Sequence, residues 1–224
     1  MLAIARERHG RRELATRHRG ARDSWIKPQL ATLVKQAPEG DGWLHEMKLD
    51  GYRMHARLDD GDVRILTRRG HDWTDKYPSF ARAVARLSAQ NAYLDGELCG
   101  LLPDGRTSFN LIQKANDRRI GPLAIFLFDL LFLDGENLSV LPLVDRKGRL
   151  GTLLAGMPGS LRYNDHQIGQ GPAFHRVGCE HRLEGIVSKR VDGRYEPDRR
   201  TWLKTKCLNR EEFVVVGWSD PEGR

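Results

Sequence analysis

Apolar and polar residues alternate from Trp43 to Leu49, which predicts a strand with Leu44, Glu46 and Lys48 on one face. Gly40-Asp41-Gly42 marks a turn before it, and Gly51 interrupts it. Tyr52 to Leu58 and Val63 to Thr67 predict a hairpin across Asp59-Asp60-Gly61-Asp62. Pro78 and Ser79 supply a helix start, after which Phe80, Val84 and Leu87 line one face. Ala92 to Asp95 predicts a short strand. The wholly apolar run Leu123 to Phe128, ending at Asp129, predicts a buried one. Leu150, Leu153 and Leu154 suggest a helix weakened by Gly148 and Gly151, and Phe174 to Leu183 a second, weaker helix. Ile186-Val187, Trp202 to Lys206 and Phe213 to Trp218 complete the predicted strands. Strands dominate and helices are scattered between them, so the predicted class is α+β with antiparallel sheets.

The pattern begins at Trp25. Residues 1–24 carry seven arginines and few apolar residues, and read as a solvated tail or linker, or as a basic arm along nucleic-acid phosphates. A chain of 224 residues is one large domain, or one domain plus part of a second, and can bury a core without disulfides or metals. Its 39% hydrophobic content excludes wholesale disorder. A net charge of +7 favours a polyanionic partner and disfavours metal storage. The three cysteines lie far apart without a CxxC pair, which predicts neither a zinc ribbon nor a disulfide framework, and places the chain in a reducing, cytoplasmic compartment. Cys99 and Cys179 read as small buried residues, and the eight histidines are scattered without ligand spacing. No apolar run approaches the roughly 20 residues of a membrane span. The arginines after Ala5 are not followed by the apolar stretch of a secretory signal.

Phosphate-binding glycine loops (GxxxxGK[ST], GxGxxG) are absent, as are HExxH and GxSxG. A basic chain that handles nucleotides must then do so with side chains. Glu46-Met47-Lys48-Leu49-Asp50-Gly51-Tyr52-Arg53 sets a lysine between carboxylates and an arginine at a strand end. A charged β-turn is the plain reading. The chemical reading is a covalent lysine. An amine attacks phosphorus only as the free base, whereas an ordinary lysine stays protonated to about pH 10.4, so neighbouring cations must disfavour the ammonium form.

Six segments in order carry a resemblance. Lys48 to Arg53 matches KxDGxR, Thr67-Arg68-Arg69-Gly70 resembles (S/T)RxG, and Leu94-Asp95-Gly96-Glu97 contains DGE. Phe126 to Gly135 resembles an aromatic base-stacking segment, Glu184 to Lys189 matches EGxVxK, and Trp202 to Lys206 matches WxKxK. Together they resemble the covalent nucleotidyltransferase family, which comprises ATP-dependent polynucleotide ligases and mRNA capping enzymes. The flanks GWLHEMKLDGYR, LEGIVSKR and EEFVVVGW are similar to ligase domains of the bacterial ligase D group, the end-joining DNA ligases, from about Trp25 onwards.

That resemblance implies a nucleotidyltransferase core of ATP-grasp-like character, with antiparallel sheets flanked by helices. It implies that Lys48 attacks the α-phosphorus of ATP, expels pyrophosphate and holds AMP for transfer to a DNA 5′-phosphate. Glu46 and the backbone beside it would face the adenine. Arg53 and Arg68 would contact sugar and phosphates, which suits the planar guanidinium fork. Glu97 would bind the ribose hydroxyls and, with Glu184, a Mg²⁺ or Mn²⁺ ion. A surface carboxylate and a structural salt bridge are the respective alternatives. Phe128 would stack on the purine, with core packing as its alternative. Lys204 and Lys206, two apart on one strand face, would clamp phosphate. Arg200 would touch phosphate or sit in a solvated loop.

The family's ligases continue past WxKxK into an OB-fold, a small nucleic-acid-binding barrel. Here 18 residues follow Lys206, and Phe213 to Trp218 reads as the first strand of that barrel. The expected layout is a tail over 1–24, an adenylation domain over 25–210 and the start of a truncated OB-fold over 211–224. The expected consequence is weak or absent self-adenylation. Expected partners are nicked or broken DNA, with end-joining proteins or a separate OB-fold, and no membrane. The rival functions are an RNA ligase or guanylyltransferase, and a catalytically silent DNA-binding module.

Overall fold

The structure is a computed structural model that describes residues 25–116, 122–157 and 159–207. The predicted tail over 1–24 and the predicted strand from Phe213 to Trp218 lie outside those residues.

Two sheets form the described chain, with strands numbered in chain order. The first runs β1 (Ala31–Leu33), β12 (Trp202–Lys206), β11 (Gly185–Arg190), β2 (Trp43–Met47) and β10 (His166–Ile168). The second runs β4 (Asp62–Thr67), β3 (Tyr52–Asp59), β5 (Asn91–Leu101), β7 (Leu123–Leu133) and β8 (Glu136–Asn137). On its flanks β6 (Thr107–Ser108) pairs with β5 and β9 (Leu161–Tyr163) with β7. Four helices accompany them: α1 (Pro78–Val84), α2 (Phe109–Asn116), α3 (Leu143–Leu154) and α4 (Gly171–Glu180). Most ladders are antiparallel, as the pattern predicts. β1 with β12 and β7 with β9 are parallel, so both sheets are mixed.

The principal core lies under the second sheet, where Met54, Leu94, Leu127 and Leu130 meet Val84 of α1 and Leu150 of α3. Each such side chain contributes roughly 1.5–3 kcal/mol on full burial. A second cluster, Tyr93, Phe128, Leu131, Tyr195 and Trp202, joins residues of the two sheets. α4 packs on β2 and β11.

Three elements outrun their apolar patterns for one reason. β5 continues past Asp95, β7 past Asp129, and α3 begins seven residues before Leu150. A buried charge that has a partner stands at the end of the predicted run in β5 and β7, and within the extension in α3. Asp129 receives the Arg146 fork through Nε at 2.7 Å and Nη2 at 3.0 Å, and both residues are buried. Arg146 and Lys147 thereby occupy the inward face of α3, where a polarity pattern reads solvent.

The cysteine reading is corrected. Cys179, in α4, and Cys207, just after β12, are joined by a disulfide, and Cys179 is half-buried rather than buried. Spacing failed to reveal the pair because β11 and β12 fold back between them. Cys99 is buried and free.

Candidate active site

β2 ends at Met47, so Lys48 projects from the first residue beyond the strand. Its backbone N–H bonds the Gly185 carbonyl at 2.9 Å, which pins it to the start of β11. Gly51 follows because β5 passes too close for anything larger: a Cβ there would meet the Leu98 carbonyl and Cys99 Sγ. Gly185 has φ +143°, and a Cβ on it would strike the Thr205 carbonyl of β12. These two glycines bring the lysine segment, the Glu184 turn and both sheets together.

Lys48 Nζ lies 2.6 Å from Glu184 Oε2, and Lys206 Nζ lies 3.6 Å from Glu184 Oε1. A cleft of about 860 Å³ opens beside them between the sheets. Glu46, Lys189 and Lys204 line it from the first sheet, and Arg53, Glu97 and Phe128 from the second. Lys48, Arg68 and Arg200 also reach it. Glu184 joins this centre through Lys48, and Lys206 joins it through Glu184.

Several predicted residues have structural partners that spacing does not reveal. Both oxygens of Glu46 are engaged, Oε1 by Lys147 and Oε2 by Lys189 at 2.6 Å. All three side chains are almost fully buried. Burial alone would raise the Glu46 carboxyl, but the two ammonium groups outweigh it and hold it below the ordinary range. Burial lowers Lys189, with Glu46 pulling the other way and Lys147 adding to the drop. Glu46 thus anchors two lysines, of which Lys189 lines the cleft.

Arg53 grips Asp95 with Nε and Nη2, each at 2.6 Å. Tyr195 donates to the same carboxylate at 2.7 Å, and His55 Nε2 lies 3.1 Å from it. Burial opposes the charged form of Asp95, yet Arg53 and His55 hold its carboxyl far below the usual range. Phe128 is 6% exposed and packs edge-on to Trp202 with ring centroids 6.0 Å apart. Arg53 Cζ and Lys189 Nζ stand 4.6 and 4.3 Å from its centroid. Phe128 is therefore a core residue that also lines the cleft. Glu97 is pushed up to about 7, first by burial and further by Asp95 and Glu184, against the pull of Arg53 and Lys48. Arg68 is anchored through its backbone to the Arg53 carbonyl at 3.1 Å.

Sequence reasoning assigned no role to Lys147, Lys189, Asp95 or Tyr195. Lys189 and Asp95 sit inside quoted motifs and could have been found there. Lys147 stands in no motif, and its partner Glu46 is 101 residues away.

An amine seated beside a carboxylate and a second ammonium, next to a cation-lined cleft, can receive a phosphate-bearing ligand. The chain belongs to the ATP dependent DNA ligase domain family, whose model matches residues 28–206. Within it, the chain is 42% identical over 202 residues to the multifunctional non-homologous end joining protein LigD of Pseudomonas aeruginosa, covering 89% of this chain and 24% of that protein. A probable DNA ligase of Streptomyces coelicolor is 32% identical over 220 residues, with 89% and 42% covered. Among solved structures, mycobacterial DNA ligase D complexed with ATP and MES superposes with a TM-score of 0.72 at 34% identity, over 82% of this chain and 61% of that one. The chain spans about a quarter of the LigD proteins it matches. No described helix is long and apolar enough to cross a membrane.

Proposed function

We propose that this chain is the catalytic core of an ATP-dependent DNA ligase of the end-joining type, and that Lys48 carries AMP to a DNA 5′-phosphate. The observation that carries the reading is the Lys48–Glu184–Lys206 cluster at the mouth of a nucleotide-sized, cation-lined cleft. Lys48 Nζ forms a bond to the α-phosphorus of ATP as the bond to pyrophosphate breaks. AMP then passes to the 5′-phosphate of nicked DNA and leaves when the neighbouring 3′-hydroxyl attacks. Lys204 and Lys206 neutralise phosphate charge as it develops. Arg53 has Nε and Nη2 engaged by Asp95, so Nη1 is the nitrogen it offers to sugar or phosphate. Arg68 and Arg200 supply further phosphate contacts from the cleft rim. Phe128 offers the aromatic surface for the purine. The backbone beside Glu46 faces the base, while its carboxylate fixes Lys189.

Glu97 and Glu184 fit a hard divalent cation. Both are hard oxygen donors beside Lys48, whose charge acts on Glu97 and whose Nζ pairs with Glu184, and Mg²⁺ characteristically takes one or two carboxylates plus substrate phosphates. A bound Mg²⁺ or Mn²⁺ would neutralise charge on the transferring phosphate. Glu184, which pairs with Lys48 at 2.6 Å, would then be shared between that ion and the lysine.

The test is intact mass after ATP with Mg²⁺ or Mn²⁺, beside sealing of a pre-adenylylated nick. Any AMP-sized, acid-labile increment in the native chain should be weak, absent from Lys48→Ala and absent with GTP, and sealing of the pre-adenylylated nick is expected. An increment that survives in Lys48→Ala would sink the assignment, as would a chain that forms no adduct and seals no adenylylated nick.

A further inference from the structure

Away from the cleft, His175, Cys179 and Cys207 bring three ligand atoms within 4.8 Å of one another. His175 and Cys179 stand four apart on one face of α4, and Cys207 reaches them from the end of β12. We propose that, once its disulfide is reduced, this cluster is a soft-metal site suited to Zn²⁺, with two thiolates, one imidazole and an open fourth position.

The donor set and its spacing carry the argument. Thiolate and imidazole are the ligands Zn²⁺ prefers, and its bond lengths place a nitrogen and a sulfur of one tetrahedron roughly 3.5 Å apart. His175 Nε2 already lies 3.4 Å from Cys179 Sγ and 3.9 Å from Cys207 Sγ. Only the two sulfurs must separate, and breaking the bond between them allows that. All three residues are half-buried, so the site is shielded yet reachable from solvent. The chemistry balances with a dithiol as reductant. The dithiol is oxidised to its own disulfide, the protein gains two thiols, and Zn²⁺ binding releases their two protons. Disulfide and metal are thus alternative occupants of the same pair of sulfurs. The site adjoins the nucleotide centre: the Cys207 N–H bonds the Glu184 carbonyl at 3.0 Å, and Lys206 is the preceding residue. The inference does not depend on the ligase reading, because metal uptake is measured without turnover.

The test uses the whole chain, stripped of metal and split into disulfide-bonded and dithiol-reduced samples. Co²⁺ is the optical probe and Zn²⁺ the competitor. The reduced chain should take up one Co²⁺ with a thiolate charge-transfer band that Zn²⁺ abolishes, and the oxidised chain should show no band. Cys179→Ser and Cys207→Ser should lose the band, His175→Ala should bind Co²⁺ more weakly, and Cys99→Ser should match the parent. A reduced parent chain without the band would overturn the site. So would a band that persists in both cysteine variants, or one that already appears in the oxidised chain. The comparison between two redox forms of one sequence needs no variant to fold.

Discussion

Lys48 and Arg53 stand five residues apart, and each meets a carboxylate at 2.6 Å, yet the two pairs are built differently. Lys48 and Glu184 are 20% and 30% exposed, and Glu184 also serves Lys206. Arg53 is 16% exposed against an Asp95 that is wholly buried and also bound by Tyr195. A half-exposed carboxylate shared by two lysines can exchange partners with a ligand, because water and the second ammonium cover the cost. A buried bidentate pair cannot, because removing either member strands the other in a low dielectric. The first pair is therefore suited to chemistry and the second to holding the sheet that frames it.

Exchanging the members of each pair should separate these roles. Lys48→Ala should remove the AMP adduct completely in the mass assay while costing less than about 1 kcal/mol of stability, as for other partly solvated pairs. Asp95→Asn should do the reverse in kind. It leaves Arg53 buried without its counter-charge, at about 3 kcal/mol or more by urea denaturation. If Asp95→Asn proved milder than Lys48→Ala in that measurement, the contrast between the pairs would fail.

The pH dependence sharpens the comparison. The Asp95 carboxyl is held low in the folded chain, so its contribution is present above about pH 3.9 and is lost as acid protonates it. Glu97 has the opposite sign. Between about pH 4.5 and about 7 the folded chain keeps a proton there that the unfolded chain has released, so stability falls as pH rises through that window. Glu97→Gln should flatten this slope in denaturation midpoints measured across the window, and an unchanged slope would assign it to another group. The smallest effect is expected at Lys27 and Asp198, paired at 2.9 Å but 58% and 61% exposed. Lys27→Ala should leave the midpoint unresolved from that of the parent.

The hairpin of β3 and β4 follows its pattern because Met54, Ala56 and Leu58 alternate with His55 and Arg57 along β3, and alternation reads that order even though both sets are buried. β12 matches its predicted bounds from Trp202 to Lys206 for a similar reason. The short edge strands β1, β8 and β10 carry too little apolar alternation to be read. β5 and β7 are read only as far as the buried charges Asp95 and Asp129, and α3 is read short because a polarity pattern scores Arg146 and Lys147 as exposed. The lysine segment and its five companion motifs were legible because their residues are contiguous. The partners that engage Glu46 and Arg53 were not.

By itself, the sequence determined the family, because the short segments that mark it are local and their order along the chain survives folding. Only the tertiary structure decided that Glu46 serves two lysines, that Asp95 claims Arg53, and that His175, Cys179 and Cys207 converge. The reason is physical. The energy of a buried charge or a thiol pair depends on what lies within about 4 Å of it, and that distance is set by strands and helices far apart in the chain.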